Sequence, residues 1–218
     1  MTEGLFSIIM KVRIHHIRGI KMKKKLILVA APPACGKTYV SELIAKALGN
    51  VTYLDKDTLA PMLRRSFALC GQAPDMDGDF YRENLRACEY ETILDLAFSA
   101  LRFEQTVILN APFSTEVRNT DFIQSLKEKA HGLQADLMLI WVSAPIDVCF
   151  ERIKERNADR DQLKIANWEE YVRKINYNAP KELESENAVD TFFIFDTSTD
   201  QTTKRAFDEV LKIIKDEI

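Results

Sequence analysis

Six apolar residues, LILVAA at 26–31, run without a break into PPACGKT and from there into a helical pattern. A continuous apolar run of this length is the mark of a strand buried on both faces, so it needs neighbouring strands in a sheet and helices above and below it. Four more such runs follow: VTYLD at 51–55, TVILNA at 106–111, LMLIWV at 137–142 and TFFIFD at 191–196. Helical patterns lie between them, at about 38–48, 58–69, 80–103, 115–130, 145–157, 168–178 and 201–217. The alternation predicts an α/β chain with a five-stranded parallel sheet, its crossovers right-handed. In the longest helix the apolar stripe is Tyr90, Leu94, Ala97 and Leu101. Ser143 and Pro145 mark a helix start, through a capping hydroxyl and a first-turn proline. GQAPDMDGD at 71–79 reads as an exposed loop, and no internal repeat is present.

Composition narrows the classes. Surface scaling has a chain of 218 residues burying about 72% of its unfolded surface in one unit, so a single domain suffices. Seven Gly, seven Pro, a mean hydropathy of -0.18 and no uninterrupted stretch of eighteen apolar residues argue against disorder and against a membrane-spanning helix. The net charge of -3 is unevenly placed: residues 1–25 hold seven Lys or Arg against Glu3, leaving the remainder acidic. That remainder carries no general electrostatic footprint for nucleic acid. Residues 1–22 read as a basic extension, with Met10 and Met22 as alternative starts to Met1. Lys23-Lys24-Lys25 before LILVAAPPA imitates a secretory signal, but cleavage there would part CGKT from the strand it requires. The alternative role for the basic segment is to bind an anionic surface or nucleic acid. Cys35, Cys70, Cys88 and Cys149 have neither metal-site nor disulfide-framework spacing, which suits a reducing, cytoplasmic setting.

The specific motif is APPACGKT at 31–38, which matches the Walker A pattern G-x-x-x-x-G-K-[ST] at Gly36, Lys37 and Thr38 but carries Ala31 in place of the first glycine. Backbone amides from Pro33, Ala34, Cys35, Gly36, Lys37, Thr38 and Tyr39 at a helix N-terminus would form an anion nest, with proline contributing shape rather than an N–H. Lys37 brings charge to the β and γ phosphates, Thr38 a hydroxyl to magnesium, and Gly36 close backbone approach. Ala31 serves only if the strand exit needs no positive φ. The same amide dipoles would lower the thiol pKa of Cys35, unless it is an inert small residue. Asp55 and Asp57 end the second strand at the sheet's carboxyl edge, where a kinase needs a carboxylate for the acceptor proton or for magnesium water; the competing reading has Asp57 as a helix N-cap. Arg152 and Arg156, four residues apart, share a helix face, and an anion between them would relieve their repulsion; the competing reading is a solvated face shared with Glu151 and Glu155.

These residues resemble the small P-loop kinases: polynucleotide 5′-kinases, zeta-toxin-like kinases, chloramphenicol phosphotransferases and gluconate-type kinases. The resemblance spans about residues 24–217 and rests on LILVAAPPACGKT, YLDKDTL, SAPIDVCFERIKERNADR and FDTS, of which the first is the specific one. It implies a three-layer P-loop NTPase fold over 23–218 with a short helical lid at about 152–167. It further implies Asp57 as the base, Asp55 and Thr38 at the metal, Arg156 and Arg160 on the transferring phosphoryl group, Arg152 on the nucleotide and Thr197 near the adenine. Asn110 departs from the family, many members of which have a carboxylate at the end of the third strand. Arg118 sits where the family lines its acceptor pocket, and reads either as a ligand for an acidic substrate group or as an exposed helix-start residue. Arg64, Arg65, Arg82 and Arg86 read as surface charge before phosphate contacts. The expectation is an ATP- and magnesium-dependent phosphotransferase acting on a hydroxyl of a small molecule or nucleotide. Its rivals are a non-catalytic ATP-binding module, favoured by Ala31 and Asn110, and a polynucleotide 5′-hydroxyl kinase, disfavoured by the acidic body.

Overall fold

The five apolar runs form one parallel sheet: β1 (Lys24–Ala30), β2 (Thr52–Asp55), β3 (Thr106–Asn110), β4 (Ala135–Ser143) and β5 (Thr191–Asp196), in the spatial order β2-β3-β1-β4-β5. The computed structural model describes residues 24–158, 161–184 and 188–216; the basic extension at 1–22, with its alternative starts, lies outside them. The helices are α1 (Lys37–Leu48), α2 (Ala60–Leu69), α3 (Asp79–Asn84), α4 (Arg86–Leu101), α5 (Thr120–Gly132), α6 (Ile146–Arg156), α7 (Gln162–Ala166), α8 (Trp168–Arg173) and α9 (Asp200–Asp216).

Strand pleating divides the core into two layers. Leu26, Leu28, Val107, Leu109, Leu137, Leu139 and Trp141 face one side, beneath Ile93 and Ala97 of α4 and Ile123 and Leu126 of α5. Ile27, Val29, Ile108, Met138, Ile140 and Val142 face the other, beneath Val40 and Ile44 of α1 and Ala206, Val210 and Ile214 of α9. The three layers predicted from the apolar runs are therefore present. Lys24 and Lys25 belong to β1 itself: Lys25 is buried, its Nζ donating to the Ile214 carbonyl at 3.2 Å, and Lys24 Nζ donates to the Leu101 carbonyl at 2.8 Å. These lysines are structural members of the sheet.

Several helix limits differ from the sequence reading, each for a local reason. The predicted helix at 80–103 is two helices, broken at Leu85. Tyr81 on α3 packs with Leu63 and Phe67 of α2 in a separate apolar cluster, whereas α4 packs on the sheet. A short 3-10 turn at Lys56–Leu59 precedes α2, and another at Glu116–Arg118 precedes α5. The side chain of Asn119 caps α5, accepting from Asp121 N at 3.0 Å and Phe122 N at 3.1 Å. Ser143 does not cap α6. It ends β4, and the N-cap is Pro145, without a side-chain hydrogen bond. The pattern at 168–178 yields a helix only to Arg173, and α7 falls within the 152–167 segment that the resemblance gives as a helical lid.

Leu28 lies in the central strand with no exposed surface, so Leu28→Ala removes buried methyl groups and leaves a cavity that the flanking strands cannot fill. The expected loss is about 3 kcal/mol. Urea unfolding checks it: the midpoint should fall with an unchanged slope.

Candidate active site

The strand order puts the ends of β1 and β3 side by side at the carboxyl edge of the sheet, with the loop 31–36 leaving β1 there and α1 starting at Lys37. Edges of this kind are where open parallel sheets place ligands. Ala31 leaves the strand without positive φ, its amide donating to the Pro112 carbonyl at 3.2 Å, so the missing glycine is tolerated. The left-handed positions lie further on, at Ala34 (φ 64°) and Gly36 (φ 88°). Alanine carries a Cβ penalty there that glycine would avoid. A side chain at Gly36 would be strained by its φ and would stand 3.7 Å from Arg152 Nη1 and Thr197 Oγ1.

Asn110, fully buried at the end of β3, joins the two sides of the site. Its Oδ1 accepts from Lys37 Nζ. Its Nδ2 lies 2.7 Å from Asp55 Oδ2, 3.0 Å from Tyr53 Oη and 3.3 Å from Thr38 Oγ1. The sheet register explains the convergence, since Asn110 pairs with Asp55 on β2 and with Val29 on β1. Because β3 lies between β2 and β1, Asp55 is not on a strand next to the loop and reaches it through Asn110.

Asp55 is also the cap that Asp57 was a candidate for: its Oδ1 accepts from the Asp57 amide at 2.9 Å. The Asp57 side chain is left 67% exposed, with Lys56 Nζ 3.7 Å away. Lys56 is itself held by buried Glu89 at 2.7 Å, and Tyr81 Oη donates to the other oxygen of that carboxylate. The Lys37 ammonium is pushed down to about 8 by burial, against the opposing pull of Asp55 and then Asp57. Burial also raises the Tyr53 phenol, keeping it protonated beside Ser41 Oγ at 3.2 Å.

On the other flank, Arg152 of α6 donates from Nη1 to Thr197 Oγ1 at 3.1 Å and from Nη2 to the Thr197 carbonyl at 2.5 Å. The Thr197 hydroxyl in turn donates to the Cys35 carbonyl at 2.8 Å, so Arg152 and Thr197 both come to the phosphate loop. After β5 the chain turns, with Asp196 Oδ1 accepting from the Ser198 amide at 2.7 Å. Arg156 makes a two-pronged pair with Asp161, Nε to Oδ2 at 2.8 Å and Nη2 to Oδ1 at 2.9 Å, and Asp161 is fully buried. Arg152 and Arg156 thus have separate partners, and no shared anion is needed to offset their charges. Asp161 was missed because an acid in ERNADRDQ has no spacing signal of its own. Arg160 lies outside the described residues.

Beyond Arg156 the chain folds back on α6, with Trp168 stacked on Phe150 at 4.9 Å and Lys164 Nζ 2.8 Å from Asp77 Oδ2 in the 71–79 loop. Arg118 is neither free nor an exposed helix-start residue. Its Nε donates to the Ser114 carbonyl at 3.1 Å, its Nη2 to the Asn178 carbonyl at 2.5 Å, and its guanidinium lies over Trp141. Of the remaining arginines, Arg64 and Arg65 are exposed, Arg82 pairs with Asp79, and Arg86 pairs with Glu116 and lies over the Tyr90 ring. Tyr39 is 60% exposed at the start of α1. Cys35 is buried against Cys149, and that hydrogen bond together with burial pushes its thiol up, opposite to the lowering expected from the loop amides.

The Lys37 shift sets a pH dependence. Between about 8 and the ordinary 10.5 the unfolded chain holds a proton that the folded chain has lost, so stability rises with pH across that window. Below about 8 the cost of keeping the buried ammonium charged is fully present. Lys37→Met should abolish this rise, which denaturant unfolding of both proteins at pH 7 and pH 10 measures as a change in their stability difference.

Comparison with known proteins places this geometry in a known fold. The sequence profile of the AAA domain matches residues 26–176. No curated protein sequence matches. Among solved structures, a candidate kinase from Chloroflexus aurantiacus is 20% identical with a TM-score of 0.58, the match covering 90% of this chain and 99% of that one. Kti12 from Chaetomium thermophilum, solved in complex with ADP-AlF3, is 18% identical with a TM-score of 0.55, covering 87% and 98%. A gluconokinase from Sinorhizobium meliloti is 15% identical with a TM-score of 0.50, covering 89% and 95%. With the family profile matched over residues 26–176, a five-stranded parallel sheet, and solved kinase structures matched over nearly their whole length, this chain belongs to the AAA domain family and has the P-loop kinase fold.

Proposed function

We propose that the protein is an ATP- and magnesium-dependent phosphotransferase that moves the γ-phosphoryl group to a hydroxyl of a small molecule or nucleotide. The observation that carries this reading is the junction at Asn110, which holds Lys37 and Thr38 of a phosphate loop within one hydrogen bond of Asp55, two residues from the exposed carboxylate of Asp57. Bound magnesium would supply charge neutralisation on the phosphate oxygens. The donor set suits it: the Thr38 hydroxyl and the Asp55 carboxylate are oxygen ligands that already share one partner.

The loop amides around Ala34 and Gly36 bind phosphate, and Lys37 exchanges Asn110 for a phosphate oxygen, whose negative charge offsets the cost of burying the ammonium. The acceptor hydroxyl oxygen forms a bond to the γ-phosphorus as the bond to the ADP oxygen breaks, and the hydroxyl proton passes to Asp57. Arg152, fixed by Thr197 beside Gly36, contacts the nucleotide. Arg156 and Arg160 would offset developing charge, which requires Arg156 to leave Asp161. Arg118 remains an acceptor-side candidate only if it gives up the Ser114 and Asn178 carbonyls. Among the described residues no helix is long and apolar enough to cross a membrane, and we assign the protein to the cytoplasm on its four free cysteines.

Asn110 also favours a second reading, a module that binds ATP without transferring phosphate, because it brings no negative charge where Lys37 and Thr38 meet. Thermal unfolding and turnover separate the two. Magnesium-ATP at about 100 times its dissociation constant should stabilise the fold by about 2.7 kcal/mol under either reading. Lys37→Ala should remove that gain and reduce turnover below detection. Asp57→Asn should keep the gain and lose on the order of a hundredfold in kcat against a panel of hydroxyl acceptors. Stabilisation with no acceptor-dependent ATP consumption in the unmutated protein would establish the binding module.

A further inference from the structure

The side chains of Cys35 and Cys149 have no part in the proposed chemistry, yet they face each other in the core with their Sγ atoms 3.5 Å apart. Cys35 comes from the phosphate loop, between the two left-handed residues Ala34 and Gly36, and Cys149 from the first half of α6. Both are buried, at 1% and 0% exposure, while Cys70 and Cys88 are exposed. A disulfide needs sulfurs about 2.05 Å apart, so the two have only about 1.5 Å to close. The loop and α6 are already linked on the same side by Arg152, Thr197 and the Cys35 carbonyl, which holds the cysteines in register.

We propose that Cys35 and Cys149 form an oxidisable dithiol, which hydrogen peroxide converts to a disulfide tying the phosphate loop to α6. Cys149 is the attacking sulfur. The Cys35 thiol donates to it and the Arg152 charge lies nearby, and both lower its pKa. Its thiolate displaces hydroxide from the peroxide O–O bond to give a sulfenic acid. The Cys35 sulfur then attacks that sulfenic sulfur, releasing water as the S–S bond forms. Overall the two thiols give up two electrons and two protons, and the peroxide leaves as two waters. Burial selects a small uncharged oxidant, so glutathione disulfide should react far more slowly than peroxide. Drawing Cys35 toward α6 moves the backbone amides on either side of it, and so alters the anion nest.

The modification can be tested without reference to the proposed activity. The full chain carrying Cys70→Ser and Cys88→Ser is reduced, exposed to hydrogen peroxide, denatured, treated with iodoacetamide and weighed. The expected product has lost two hydrogens, takes up no alkyl group, yields a linked peptide joining Cys35 to Cys149, and recovers two alkylation sites after dithiothreitol. The same exposure of Cys149→Ser in that background should leave Cys35 alkylatable. Two alkylated thiols in the peroxide-treated protein, at a dose that oxidises Cys70 or Cys88 in the unmutated chain, would overturn the proposal, as would sulfinic acid at Cys149 without linkage. A second readout concerns consequence: the magnesium-ATP stabilisation should shrink in the oxidised protein and return on reduction. Loss of that stabilisation in the reduced protein as well would count against the nucleotide reading, leaving the mass measurement to decide the dithiol.

Discussion

The buried amide of Asn110 is the group on which the site depends. Lys37 is drawn out of water by its place at the start of α1, and a cation so placed must find an acceptor or lose its proton. Asn110 supplies the acceptor through Oδ1 and turns its Nδ2 toward Asp55, Tyr53 and Thr38. A carboxylate at this position would pair more strongly with Lys37 but would stand against Asp55 across the β2–β3 register. The neutral amide accommodates both at once, which joins the phosphate loop to the end of β2 without a like-charge pair.

The loop is held from its other flank by neutral hydrogen bonds backed by one charge. Thr197 closes the Cys35 carbonyl and accepts from Arg152, which also reaches the Thr197 carbonyl. Two independent anchors, Asn110 on β3 and Thr197 after β5, thus fix a segment that contains a strained alanine and a left-handed glycine. Such over-determination is what keeps a residue like Ala34 in an unfavourable backbone region. The cysteine contact lies under the second anchor, so a change there acts on the loop directly rather than through the sheet.

Much of this was legible in the residues. Five apolar runs specified five strands, although burial on both faces holds for β1, β3 and β4 while the edge strands β2 and β5 are only partly buried, and GKT after the first run marked the loop because its chemistry requires a strand before and a helix after. What escaped were the pairings that depend on neighbours in space. Leu85 breaks a continuous helical pattern because Tyr81 packs on α2 while α4 packs on the sheet. Asp55, not Asp57, caps the turn after β2, and Ser143 ends a strand instead of capping α6. Asp161 claims Arg156 from five positions away, a spacing with no helical meaning.

The sequence by itself therefore determined the layers, the parallel sheet and the phosphate-binding turn, because hydrophobic period and the chemistry of glycine, lysine and threonine act locally along the chain. Tertiary structure alone decided that β3 lies between β1 and β2, that Asn110 gathers four side chains, that Arg152 and Arg156 have different partners, and that Cys35 meets Cys149 across 114 positions. Strand order and side-chain partnership are set by how buried faces fit and how buried polar atoms are satisfied, and neither leaves a periodic trace in the chain.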